Sequence, residues 1–197
     1  MAILISLSFL KTSAQNFEGR LTYESYSVIE KDTIPSSSST YWFKDHLEKH
    51  TMSVAKAPTI NLGTLYSNAD NMTRKNMDAS GNLEVITPTI DLNMPLLQVE
   101  ALNEYDTILN FRCQKWKLLD VSNQKLISVL WITDKISNSY YDQFVRLFNY
   151  QNTLFPCEGL KGWILKREDY RREGQIFVTE IKDLKKMELS IAEMVIY

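Results

Sequence analysis

The chain has 197 residues, of which 44% are hydrophobic and 23% charged, enough for one domain with a sizeable core. Its net charge is −2 and its pI near 5.8, and no basic stripe of the kind that grips nucleic acid is present. The nearest candidates, Lys166-Arg167 and Arg171-Arg172, are interleaved with Glu168, Asp169 and Glu173 and read as a solvated strand surface.

The apolar run Ala2–Leu10 is too short for a bilayer, which takes roughly 20 residues. Thr12 and Ala14 supply the small residues of a signal-peptidase site. Residues 1–14 are therefore expected to be a signal peptide and 15–197 a single β-rich domain, exported to the periplasm or secreted. A buried first strand is the alternative, and no Lys or Arg precedes the run. No cysteine follows that would take a lipid anchor, and no later segment is a transmembrane candidate.

From Phe17 the pattern is period two: Phe17, Gly19, Leu21 and Tyr23 alternate with Glu18, Arg20, Thr22 and Glu24. Asp32 to Ser39, with Pro35 and four serines, reads as a loop. Strands are expected over 40–54 and 60–67, and a short one over 72–77 between the turn clusters 68–71 and 78–82. Leu83 to Leu92 is interrupted at Pro88, which marks an edge or a bulge. Tyr105 to Asp120 reads as one long strand, bent near Asn110. Leu126 to Thr133, "LISVLWIT", is apolar on both faces and is expected to be central.

The period then changes. Tyr140, Phe144, Leu147 and Phe148 fall at helical spacing, so 138–151 is predicted to be an amphipathic helix. Trp163–Tyr170 and Gln175–Leu184 follow as strands hinged at Arg172-Glu173-Gly174, and the tail 188–197 suits either a strand or a short helix. The class is mainly β with few helices (α+β): one antiparallel sheet, no repeat and no linker.

Two cysteines, Cys113 and Cys157, are an even count in an oxidising compartment. A bridge between them would be worth about 4 kcal/mol on a chain-entropy account. Two separate buried thiols are the alternative.

His46, Glu48 and His50 would share one strand face and offer metal-ligand chemistry. However, that spacing spans roughly 13 Å along a strand, too far for one ion without a bend. An exposed polar face is the simpler account, with a metal-dependent enzyme as the least favoured reading. There is no Gly-x-Ser-x-Gly nucleophile turn and no cofactor-binding motif.

Gly159-Leu160-Lys161-Gly162-Trp163-Ile164 resembles the hexapeptide Gly-Leu-Pro-Gly-Leu-Ile of the GLPGLI family, exported proteins of Bacteroidetes. It keeps Gly159, Leu160, Gly162 and Ile164, while Lys161 stands for proline and Trp163 for leucine. "FEGRLTYE", "YDTILNFRCQKWKL" and "VLWITDKIS" look like other strands of that family in the same order. The motif enters a strand and lacks the Lys-Ser/Thr of a phosphate loop, so its glycines read as structural. The resemblance implies a lipoprotein-carrier-like fold: a curved antiparallel half-barrel with a helix packed on its concave face. In that frame Trp116, Trp131, Phe144 and Phe148 would line an apolar pocket for a lipid-like ligand, or else fill a closed core. The expected function is a non-enzymatic carrier; the alternative is an envelope module that binds a protein partner through edge strands such as 83–92.

Overall fold

The computed structural model describes residues 17–68, 73–86, 89–90, 97–136, 147–150, 153–156, 160, 162–172 and 174–196. Fourteen strands are found among them, eleven in one antiparallel sheet. The first meander runs β1 (Gly19–Ile29), β2 (Asp32–Lys44), β3 (Leu47–Val54), β4 (Ala57–Asn68), β5 (Thr73–Met77) and β6 (Leu83–Ile86). The second runs β8 (Leu97–Ile108), β9 (Phe111–Asp120) and β10 (Leu126–Thr133), followed by the hairpin β13 (Trp163–Arg172) and β14 (Gln175–Lys186). The two halves join where β1 pairs with β14, from Gly19↔Lys186 to Ile29↔Gln175. The sheet is open: β6 and β8 are its edges. A small second sheet holds β7 (Thr89–Ile90), β12 (Thr153–Pro156) and β11 (Leu147–Tyr150), with β12 parallel to β7. No helix among the described residues is long and apolar enough to cross a membrane.

The core is built by alternation. Leu21, Tyr23, Tyr41, Phe43, Trp163, Leu165 and Ile181 belong to one buried cluster. Within it the Phe43 and Trp163 rings meet edge-on at 4.8 Å. The indole Nε1 of Trp163 donates to Tyr23 Oη at 2.9 Å, and Tyr23 in turn donates to the Ile164 carbonyl at 2.9 Å. Tyr23 and Trp163 thus keep their polar handles satisfied. Trp42, one residue before Phe43, points to the other face. There it packs with Leu47, Leu189, Met194 and Val195, under the one-turn helix α1 (Ile191–Met194). Glu18 ties the beginning and end of the domain together. Its Oε1 accepts from Lys44 Nζ at 2.7 Å and from the Leu189 amide at 2.6 Å.

Four sequence expectations are corrected. Residues 32–39 are not a loop but the first part of β2, paired to β1 from Asp32↔Ile29 onward. The register shift between Ser25 and Tyr26 skips Ser36 and puts Pro35 beside an irregularity, where sheets tolerate proline. Tyr105–Asp120 is not one bent strand but the end of β8 and the whole of β9, reversed at Leu109–Asn110, whose φ angles are 48° and 67°. The helix predicted over 138–151 is strand where it is described: Leu147–Tyr150 pairs with Thr153–Pro156. Its first part, with Tyr140 and Phe144, lies outside the described residues. A helix on the concave face is therefore not what this structure shows. Finally, Arg167 is no free surface cation, because its Nε donates to the buried Asp169 carboxylate at 2.7 Å. Ser128 Oγ donates to the same oxygen at 2.5 Å.

Candidate functional site: a cleft between β8, β9 and β10

The second core cluster, Leu118, Leu130, Ile132 and Leu160 with Trp116, Leu97 and Val99 against it, underlies an open cleft of about 380 Å³. Tyr105, Arg112, Gln114, Trp116, Ile132, Asp134 and Lys135 line it. Local sequence explains most of this set. Arg112, Gln114 and Trp116 are alternate residues of β9 and so share one face. Ile132 sits opposite Gln114 on β10, and Asp134-Lys135 follow where β10 ends.

β8 supplies the remaining wall through an irregularity. Ala101 pairs with Trp116, and the next pair is Tyr105 with Gln114, so Leu102, Asn103 and Glu104 stand opposite Lys115 alone. Gln114 Nε2 donates to the Leu102 carbonyl at 3.0 Å, which satisfies a group that the bulge takes out of the ladder. The bulge brings Tyr105 beside Arg112, whose guanidinium carbon lies 3.9 Å from the ring centroid. That is a close cation–π contact.

The Gly-Leu-x-Gly segment supports the cleft from beneath. Leu160 is 2% exposed and packs in the cluster that holds Ile132 and Trp116. Gly162 has φ +96°, and a Cβ there would sit 2.4 Å from the Thr133 carbonyl oxygen. Only glycine lets this backbone pass so close to the end of β10. Ile164 belongs to the same cluster, while Gly159 lies outside the described residues.

Of the expected pocket residues, the two tryptophans are not brought together. Trp116 is on the cleft. Trp131 is on the other side of the β9–β10 pair, because Leu130 faces Trp116 and Trp131 faces Lys115. It is 5% exposed and lies under the ammonium groups of Lys166, at 4.4 Å, and Lys115, at 5.6 Å. Phe144 lies outside the described residues. Phe148 is on β11, opposite Phe155. Cys113 does not carry the expected bridge to Cys157. It is a free, fully buried thiol that donates to the Phe111 carbonyl at 3.4 Å, and burial pushes its pKa up to about 11. Cys157 lies outside the described residues.

The histidine–glutamate set does not assemble either. His46 lies in the Asp45–His46 turn, so strand alternation starts only at Leu47. Glu48 is buried, and His50 stacks flat on Tyr41 with ring centroids 4.1 Å apart. His50 Nε2 is withdrawn from solvent without a hydrogen-bond partner among the described residues. Burial, with Arg74 nearby, holds the His50 pKa down at about 4. Among the described residues no three His, Cys, Asp or Glu side chains are placed to hold a metal ion.

Sequence reasoning passed over Tyr105, Arg112, Gln114, Ile132, Asp134 and Lys135. The alternation Arg112-x-Gln114-x-Trp116 was a usable clue for two of them. Tyr105 had none, because the three-residue bulge exists only in the pairing.

Fold and cleft define an open antiparallel-sheet protein with a half-polar, aromatic-lined groove at one end. No protein-family model matches the chain and no curated protein is similar to it by sequence. The likeness to the GLPGLI family therefore rests on the quoted motifs alone. Among solved structures the chain is similar to a LolA superfamily protein from Nitrosomonas europaea, at 8% identity and TM-score 0.42, over 92% of this chain and 91% of that one. A DUF1329 family protein from Desulfovibrio piger is similar at 9% identity and TM-score 0.40, over 92% and 90%. PNGF-II is similar at 14% identity and TM-score 0.50, over 89% of this chain but 29% of that one. The first two decide nothing about this chain, and the third speaks to the fold alone.

Proposed function

We propose that this is an exported, non-enzymatic binding protein that holds an apolar or amphiphilic ligand in the β8–β9–β10 cleft. One observation carries the reading: Trp116 and Ile132 line an open groove of about 380 Å³, within the size range of small-molecule sites, about 300–1,000 Å³. An aromatic wall contributes contact area and a flat surface, while Gln114 and Arg112 set orientation. The test is a titration of N-phenyl-1-naphthylamine, read by its fluorescence, against wild type and Trp116→Ala. Wild type is expected to bind, and the variant to bind at least about tenfold more weakly, as truncation of an aromatic anchor does. Equal binding by both proteins, or no binding by wild type, would sink the reading.

A second reading is favoured by the open edge. β6 ends the sheet and carries Leu83 and Val85 at 46% and 61% exposure. Such an edge can accept a partner strand. Cross-linking in an envelope lysate through a reactive group placed at Val85 tests this reading; a single specific adduct would support it.

A further inference from the structure

We propose that the ligand of this cleft carries an anionic head group, a carboxylate or a phosphate, and that Arg112 receives it. The inference rests on the binding reading above and concerns the charged rim of the same groove. Arg112 and Lys135 bring positive charge to it and Asp134 negative charge. Lys135 Nζ is already 3.3 Å from Asp134, and both side chains are largely exposed. That pair cancels itself and contributes little.

Arg112 is different. It makes no ion pair among the described residues, and its guanidinium lies against the Tyr105 ring. The acidic residues closest to it in sequence are directed elsewhere. Glu104 is bound to Lys115 at 2.9 Å. Asp106 stands opposite Cys113, one step out of phase with Tyr105 and Arg112, and so faces the other side of the sheet. Among the described residues the cleft therefore has one fixed charge without an ion-pair partner, and it is positive.

Its geometry is also prepared. The contact with the Tyr105 ring engages no strong hydrogen-bond acceptor, so among the described residues the guanidinium N–H groups keep their capacity for one. That donor set matches a carboxylate or phosphate in a two-point grip. Among the lining residues Ile132 is buried and Trp116 half-buried while Arg112 is exposed, so the groove offers an apolar surface beside a charged one. An anionic amphiphile has the same polarity.

Dodecanol, dodecanoate and dodecyl phosphate share one chain and differ in the head. Each is titrated below its aggregation concentration into wild type, Arg112→Gln and Arg112→Lys by calorimetry, at low and at raised salt. Wild type is expected to bind at least one anion about tenfold tighter than the alcohol. Whichever anion is preferred separates a fatty-acid-like from a phosphate-headed ligand. Arg112→Gln is expected to remove that advantage, weakening the anions about tenfold more than dodecanol; Arg112→Lys restores part of the charge but not the two-point grip. Raised salt weakens only the anions. Equal wild-type affinity for all three would overturn the head-group inference and leave the binding reading standing. So would an Arg112→Gln variant, folded by its melting curve, that loses alcohol and anion alike. Failure of all three to bind would end both.

Discussion

Gly162 shows how much one residue can hold. Its φ of +96° and the 2.4 Å approach a Cβ would make to the Thr133 carbonyl oxygen are separate obstacles to any side chain. A backbone conformation of that kind costs a non-glycine residue roughly 1–3 kcal/mol, before the clash is added. Gly162→Ala is therefore expected to destabilise the protein by about 2 kcal/mol or more, read as a lower urea midpoint. A midpoint within about 0.5 kcal/mol of wild type would show that the loop relaxes freely. Leu160 matters for a different reason: it is buried in the cluster that holds Ile132, with Trp116 packed against it, and so supports the wall of the cleft.

At the scale of elements, the β8–β9 turn is the least legible from sequence. Two-residue hairpin turns favour Asn-Gly because both positions take positive φ. Here the pair is Leu109-Asn110, at 48° and 67°, with Leu109 exposed. Leucine in that region carries a cost on the order of 1–2 kcal/mol. Leu109→Asn combined with Asn110→Gly is expected to raise stability by roughly 1 kcal/mol and leave ligand binding alone, checked by urea unfolding and by the same titration. A loss of stability would mean that the turn is held by contacts of Leu109 itself. The serine run of β2 hid a strand by a related mechanism. Ser37, Ser38 and Ser39 have weak strand preference, but each is paired on both sides, to β1 and to β3. Pairing decided what propensity left open. The described end of the expected 138–151 helix differs in the opposite sense: Leu147 and Phe148 fit helical spacing, yet in so short an aromatic run the same residues fit a strand.

For the whole molecule, acid is the informative stress. His50 has a folded pKa near 4 against an ordinary 6.5. Its neutral form is favoured on folding, so its contribution is complete above about 6.5 and is lost as pH falls through about 4. At 1.36 kcal/mol per pH unit this amounts to at most about 3 kcal/mol. Glu18 is held below its ordinary value, first by its hydrogen bond from Lys44 and then by the Leu189 amide. Asp78 and Asp120 are held down by their turn partners, Asn82 and Ser122. These carboxylates contribute above about 4.5 and lose that contribution at lower pH. Stability is thus expected to decline in two stages on acidification, first from His50 and then from the carboxylates. His50→Phe, which keeps a ring against Tyr41, should flatten the first stage alone. Urea midpoints of both proteins at pH 7, 5 and 3.5 check this; parallel curves would show that His50 does not titrate across the transition.

Alternation is a property of neighbours in the chain, so β1, β10, β13 and β14 could be read directly from residues such as Leu21, Tyr23, Leu130 and Ile181. The same local logic placed the Gly-Leu-x-Gly segment at a strand entrance and made it structural. Which tryptophan meets the cleft could not be read in this way. Trp116 and Trp131 are both strand aromatics, and they are separated only by register, Leu130 opposite Trp116 and Trp131 opposite Lys115. Tyr105 reaches Arg112 only because three residues of β8 bulge against one of β9. Register, bulges and the joining of β1 to β14 are set by partners far apart in the chain. Their energies appear only when the strands meet, and so the cleft belongs to the tertiary structure.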